Sequence, residues 1–204
     1  VRPMKKIQRF PYLLLAFCLM FSAWSQAATP VPKAPSVGAK GYLVEDFLSG
    51  QAIAEKNADQ PLEPASITKL MSAYVIFSEI RNGSLALSDT VRISEKAWRT
   101  QGSRMFVEVN TQVSVADLLK GMIIQSGNDA TVALAEQVAG TEASFATLMN
   151  TYAQQLGLTR SHFINSPVLP DKEHYPTARD IVRIARALIR EFPEYYQWYS
   201  EKQF

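Results

Sequence analysis

Between Pro64 and Ser78 the sequence reads PASITKLMSAYVIFS, and Lys69 is its only charge. A helix apolar on nearly every face must be enclosed on every side, so the rest of the chain has to be built around this one. Proline suits a first helical turn and Asn82-Gly83 supplies a C-terminal cap, which predicts a helix from Pro64 closed at that pair. Residues three apart share a helical face, so Ser66 and Lys69 project together. Two readings follow. In one, Ser66 caps the helix and Lys69 reaches for water. In the other, burial strips the amine of its proton, and a neutral amine beside a hydroxyl is a general base beside a nucleophile. The positive end of the helix dipole would then favour negative charge developing at Ser66.

The chain has 204 residues, 47% hydrophobic and 20% charged, enough to enclose such a helix in one core with room for a smaller second lobe. Its formal charge of +2 misleads, because Arg2, Lys5, Lys6 and Arg9 all precede the apolar run Tyr12–Ala23. That run is short for a membrane span, and the small residues of Ser25-Gln26-Ala27 follow it, so residues 1–27 are expected to be a cleavable export signal. Setting those four cations aside leaves 17 of the 21 Lys and Arg against 19 acidic residues. No basic patch interleaved with aromatics remains, which argues against a nucleic-acid partner. Cys18, the only cysteine, lies inside the signal, so the mature chain has neither thiol chemistry nor a zinc–thiolate site.

Residues 28–37 carry three prolines and read as a linker, with a domain over 38–204. Gly41–Asp46 and Gln51–Glu55 read as strands joined through Leu48-Ser49-Gly50, a hairpin. Short β-like pieces are expected at Thr90–Ser94 and Met105–Val109. Ser114 and Asp117 form a capping-box-like start for a helix to about Ile124. Further helices are expected from Asp129 to Ala139, from Thr141 to Gly157, and from Thr177 to about Glu191. A lone hairpin is a poor partner for so many helices. His162 and His174 lie in polar loop-like sequence and read as surface or locally bonded residues, without the neighbours of a Ser-His-Asp triad or a metal site. Trp98 and the aromatic run Tyr195, Tyr196, Trp198 and Tyr199 read as packing around a helix end in preference to a sugar-binding platform, and Arg183, Arg186 and Arg190 as a solvated helical face.

Ser126-Gly127-Asn128 lies between two apolar helices. It reads either as an ordinary interhelical turn or as a glycine-permitted tight turn aiming a hydroxyl and a carboxamide the same way. Ser66-Ile-Thr-Lys69 with Ser126-Gly-Asn128 resembles the first two motifs of the serine D-alanyl-D-alanine carboxypeptidases, the low-molecular-mass penicillin-binding proteins. Leu62–Met71, Val113–Ala130 and Tyr175–Asp180 carry the same likeness, which extends from about Gly38 to the end. The resemblance implies an α+β, β-lactamase/transpeptidase-like (penicillin-recognising) fold, with an antiparallel sheet and a helical lobe. It also implies an exported, periplasmic hydrolase, acting at the outer face of the cytoplasmic membrane, that removes the terminal D-alanine from peptidoglycan stem peptides without metal or cofactor.

By that resemblance Ser66 forms the acyl-enzyme, Lys69 takes its proton, Ser126 relays a proton to the leaving amine, and Asn128 binds the substrate backbone. β-Lactam antibiotics would acylate Ser66 as covalent inhibitors. Two departures from the family pattern stand out. No Lys-Thr-Gly, the third motif, occurs in the 204 residues, so the chain is expected to be the N-terminal part of such an enzyme, without the closing strands or the C-terminal segment through which relatives associate peripherally with membranes. Pro167-Val168 replaces the usual threonine–glycine pair, and Val168 would tolerate a positive φ badly. The alternatives are a D-alanyl-D-alanine endopeptidase sharing both motifs, a β-lactamase-like hydrolase, which in class A would want Ser-Asp-Asn and an activating glutamate, and an inactive truncated fragment.

Overall fold

The apolar run becomes the helix that the other elements enclose. In the computed structural model, which describes residues 34–63, 65–167, 169 and 171–203, helix α1 spans Lys69–Arg81. Met71, Ala73, Val75, Ile76 and Phe77 have no exposed surface. The hydroxyls on α1 are satisfied: Ser72 donates to the Ser166 carbonyl at 2.9 Å and Ser78 to the Tyr74 carbonyl at 2.8 Å. The helix closes at Asn82-Gly83, with Gly83 at φ 79° and the Gly83 and Ser84 N–H groups bonded back to Ile80 and Glu79. Its start differs from the sequence reading. Ser66–Thr68 is a separate 3₁₀ turn, and the α-helix begins at Lys69. No side chain caps this end, so the first donors tighten into bonds to nearer carbonyls, as Thr68 N–H does to Ala65 at 2.8 Å. The expected export signal, the start of the linker, Pro64 and Val168 lie outside the described residues.

Strands β1 (Tyr42–Glu45) and β2 (Ala52–Lys56) form the expected antiparallel hairpin. Its turn is held by Asp46, whose Oδ1 accepts from the Ser49 N–H and hydroxyl at 2.8 and 2.6 Å, and by Gly50 at φ 73°. A second small sheet pairs β3 (Thr90–Arg92) with β4 (Gln112–Ser114), with helix α2 (Glu95–Arg99) between them. The sequence placed the second strand at Met105–Val109 instead. There the N–H groups of Met105, Phe106 and Val107 all go to the Asp129 carboxylate, so they are lost to any ladder.

Helices α3 (Val115–Ile124), α4 (Asn128–Ala139), α5 (Glu142–Gln155) and α6 (Ala178–Glu191) pack against α1. Each start that the sequence signalled by a hydroxyl cap is capped as expected: Ser114, Thr141 and Thr177 accept from the N–H groups of Asp117, Ser144 and Asp180. After α6 come a short helix, α7 (Pro193–Tyr196), and a 3₁₀ turn at Gln197–Ser200. The Tyr195 ring stacks on Phe77 of α1 at 4.5 Å, and Trp198 meets the same ring edge-on, so these aromatics do pack a helix end.

Two surface expectations fail. The arginines of α6 are not simply solvated: Arg186 reaches Glu45 of the hairpin at 2.8 Å, Arg190 the Phe47 carbonyl, and Arg183 the Gly157 carbonyl. They staple the hairpin and the end of α5 onto α6 because those segments bring a carboxylate and free carbonyls to that face. His174 is not a surface residue. It is 1% exposed, lies edge-on to Phe163, and burial pushes its pKa down to about 4. The His162–Tyr175 bridge folds the loop back over it. Removing the ring at the centre of the aromatic cluster by Phe77→Ala is expected to cost roughly 3–5 kcal/mol, read as the change in unfolding free energy in urea.

Candidate active site

The segment leading to Ser66 is held down at both ends of its loop: Leu62 N–H donates to the Pro176 carbonyl at 2.9 Å, and Arg179 N–H to Ala58 at 3.0 Å. Ser66 then heads the 3₁₀ turn, exposed, while Lys69 opens α1 and is buried, with 6% of its surface exposed. The side chains share one cavity of about 310 Å³, lined by Ser66, Ile67, Lys69, Leu70, Met122, Ile123, Ser126 and Tyr199. Residues 57 positions apart in sequence meet in it: Lys69 Nζ lies 3.2 Å from Ser126 Oγ.

No ion pair reaches Lys69 among the described residues. Its surroundings are the apolar side chains and hydroxyls that line the cavity, of which Ser126 Oγ is within hydrogen-bond distance, and burial lowers its pKa from an ordinary 10.5 to about 8. That is the behaviour the first of the two sequence readings excluded: the amine does not reach for water. A lysine with this pKa exchanges its proton near neutrality, which an exposed lysine does not. The hydroxyl beside it can pass a proton on.

Ser126 reaches Lys69 by an unusual turn. Ser126, not the glycine, takes the left-handed conformation, at φ 57°, whereas Gly127 is extended at φ −61° and ψ 115°. The sequence reading gave Gly127 the conformational role. Its role is space instead: a Cβ there would lie 3.0 Å from Asp129 Oδ1 and 3.1 Å from the Met105 nitrogen. A left-handed, non-glycine residue is uncommon and persists only where its surroundings enforce it.

Asn128 opens α4, one residue earlier than the sequence placed that helix, and is 7% exposed. It does not line the cavity. Its Nδ2 donates to the Gln101 carbonyl at 2.6 Å and its N–H to the Ser103 carbonyl at 2.7 Å. The structure thus brings Ser66, Lys69 and Ser126 together in one cavity and leaves Asn128 out of its lining, buried and tied to the 101–103 loop. Tyr199 joins the cavity wall, and burial raises the pKa of its phenol. The sequence favoured packing for it and did not place it at Ser66, since nothing local shows that the chain returns there after α6. Pro167 is buried, and Asn165 closes its loop by bonds to the Leu169 N–H and carbonyl at 2.8 and 2.9 Å. Neither histidine lines the cavity, no group of residues suited to a metal occurs among the described residues, and no helix there is long and apolar enough to cross a membrane.

The sequence profile of the D-alanyl-D-alanine carboxypeptidases matches residues 28–204. The D-alanyl-D-alanine carboxypeptidase DacC of Escherichia coli is 44% identical over 195 residues, covering 93% of this chain and 49% of the relative. The D-alanyl-D-alanine carboxypeptidase DacA of Haemophilus influenzae is 44% identical over 173 residues, covering 83% of this chain and 44% of the relative. The crystal structure of penicillin binding protein 5 from Haemophilus influenzae superposes with a TM-score of 0.82 at 43% identity, over 87% of this chain and 51% of that one. The chain spans about half the length of the curated relatives it matches.

A cation held in an apolar cavity weakens the fold, and the sign follows from the lowered pKa. Below about pH 8 the lysine is charged in the folded protein and burial disfavours it; above 10.5 it is neutral folded and unfolded alike. Lys69→Met is therefore expected to raise stability by on the order of 2 kcal/mol at pH 7, with the gain shrinking as pH rises from 8 to 10.5. Chemical denaturation at the two pH extremes reads it.

Proposed function

The chain belongs to the D-alanyl-D-alanine carboxypeptidase family and has its penicillin-recognising fold, and on that premise we propose that it carries the acylating half of a serine-type carboxypeptidase active site. The reading rests above all on one observation: a buried lysine of lowered pKa, with no ion pair among the described residues, sits 3.2 Å from Ser126 Oγ in the cavity that Ser66 also lines.

Neutral Lys69 takes the Ser66 hydroxyl proton as Oγ attacks the carbonyl between two D-alanines at the end of a peptidoglycan stem peptide. The Ser66 N–H, at the head of the 3₁₀ turn, donates to the oxyanion. Ser126, bonded to Lys69, relays the proton to the departing amine nitrogen, and D-alanine leaves. Water then hydrolyses the ester on Ser66 with the same groups acting in reverse. Asn128, two residues after Ser126, binds the backbone of the stem peptide. A β-lactam presents a similar carbonyl to Ser66, and opening its ring leaves the ester in place. The reaction belongs outside the cytoplasmic membrane, where residues 1–27 would deliver the chain as an export signal and where peptidoglycan lies.

The base must be neutral to act, so its pKa sets the pH profile. At pH 7 about a tenth of Lys69 is unprotonated, and the fraction rises tenfold per pH unit below its pKa. In the full-length polypeptide, acylation by a fluorescent penicillin is expected to rise from pH 6 to about 8 and then level off. Ser66→Ala should abolish labelling, and Lys69→Met should slow it by about 10²-fold or more. Labelling that survives Ser66→Ala, or a profile flat from pH 6 to 8, would sink this assignment.

A further inference from the structure

Asp129, next in the chain after Asn128, has no role in the chemistry above, yet it is the most heavily bonded carboxylate of the described residues. It is fully buried. Oδ1 accepts from the N–H groups of Met105 and Ala130, both at 2.9 Å, and Oδ2 from those of Phe106 at 2.9 Å and Val107 at 3.2 Å. Arg104 Nε adds charge 3.6 Å from Oδ2. One carboxylate thus holds three successive amides of a segment with no secondary structure of its own.

That segment is the one that touches Asn128. Gln101 and Ser103 supply the carbonyls that receive the Asn128 carboxamide and N–H, at 2.6 and 2.7 Å. Between them Gly102, at φ 93°, leaves room that a Cβ would fill, only 2.5 Å from Asn128 Nδ2. With its nitrogen committed to Gln101, the carboxamide keeps its oxygen as the acceptor for a substrate N–H. The segment also stores strain. Phe106 stands at φ 64° with 76% of its surface exposed, so packing does not enforce its conformation. The bond from its own N–H to Asp129 does.

We propose that Asp129 is a positioning residue for Asn128: by clamping Met105–Val107 it fixes the Gln101–Ser103 carbonyls that set the direction of the Asn128 carboxamide. The inference rests on the reading of Ser66 as an acylated nucleophile and extends it to what orients the substrate. A carboxylate is suited to the task because both oxygens accept. An asparagine at the same place would turn an N–H₂ towards two of the amides and release the segment.

The test is a double-mutant cycle in the full-length polypeptide, reading the second-order rate of Ser66 labelling by a fluorescent penicillin. Asp129→Asn is expected to slow labelling by about tenfold or more. Added to Asn128→Ala it should change nothing beyond about twofold, because the group it positions is already gone. Hydrogen exchange should show Met105, Phe106 and Val107 losing protection in Asp129→Asn. A general loss of stability would instead slow both backgrounds alike. Gly102→Ala, which presses on the carboxamide with the clamp intact, should slow labelling and be equally silent in the Asn128→Ala background. It decides the matter if Asp129→Asn does not fold. An unchanged rate, or effects that multiply, would overturn the inference alone. Absence of labelling in the unmodified protein would overturn the reading of Ser66, and the inference with it.

Discussion

A lysine buried at the edge of an apolar core, hydrogen-bonded to the Ser126 hydroxyl, is what the rest of this structure depends on. Such a group weakens a fold, and here it stands at the start of the helix on which four others pack. The arrangement holds because the surrounding terms are large. The interior of α1 is fully enclosed, its serines are bonded, and an aromatic cluster centred on Phe77 closes its far end. In exchange the amine titrates near neutrality, which is the property proton transfer to and from a serine requires.

The second half of the site is organised by backbone rather than by burial. Ser126 meets Lys69 only because it adopts a left-handed conformation between two helices. That turn is braced from below: Gly127 leaves space for Asp129, Asp129 gathers the amides of Met105–Val107, and the same segment receives Asn128. Strained residues at Ser126 and Phe106 lie at the two ends of this network. A cavity wall of Ile67, Leu70, Met122, Ile123 and Tyr199 keeps the polar groups in surroundings where their electrostatic effects are strong.

Much of the fold was legible because it rests on local rules. The hydroxyl caps at Ser114, Thr141 and Thr177, the glycine stop after Asn82 and the hairpin turn at Gly50 each act within a few residues, and each appears where the pattern puts it. Expectations failed where a distant partner competed. Met105–Val109 has the composition of a strand, but its donors go to a carboxylate more than twenty residues away. The arginines of α6 have the spacing of a solvated face, but the hairpin comes to meet them. His174 sits in polar sequence, and the folding-back of its own loop buries it.

By itself the sequence indicated a helix buried on nearly every face and a serine three residues before a lysine, because apolar patterning and spacing act through neighbours in the chain, although the α-helix starts only at Lys69 and Ser66 heads the 3₁₀ turn before it. It also marked Ser126-Gly127-Asn128 as a turn worth inspecting. The tertiary structure alone decided which serine the lysine meets, since only packing brings α1 and the α3–α4 junction together. It decided that Ser126 rather than Gly127 carries the left-handed backbone, and that Tyr199 returns to the cavity. The clamp at Asp129 was equally beyond local reading. A single aspartate at a helix start looks the same in sequence whether it faces water or gathers the amides of a remote loop.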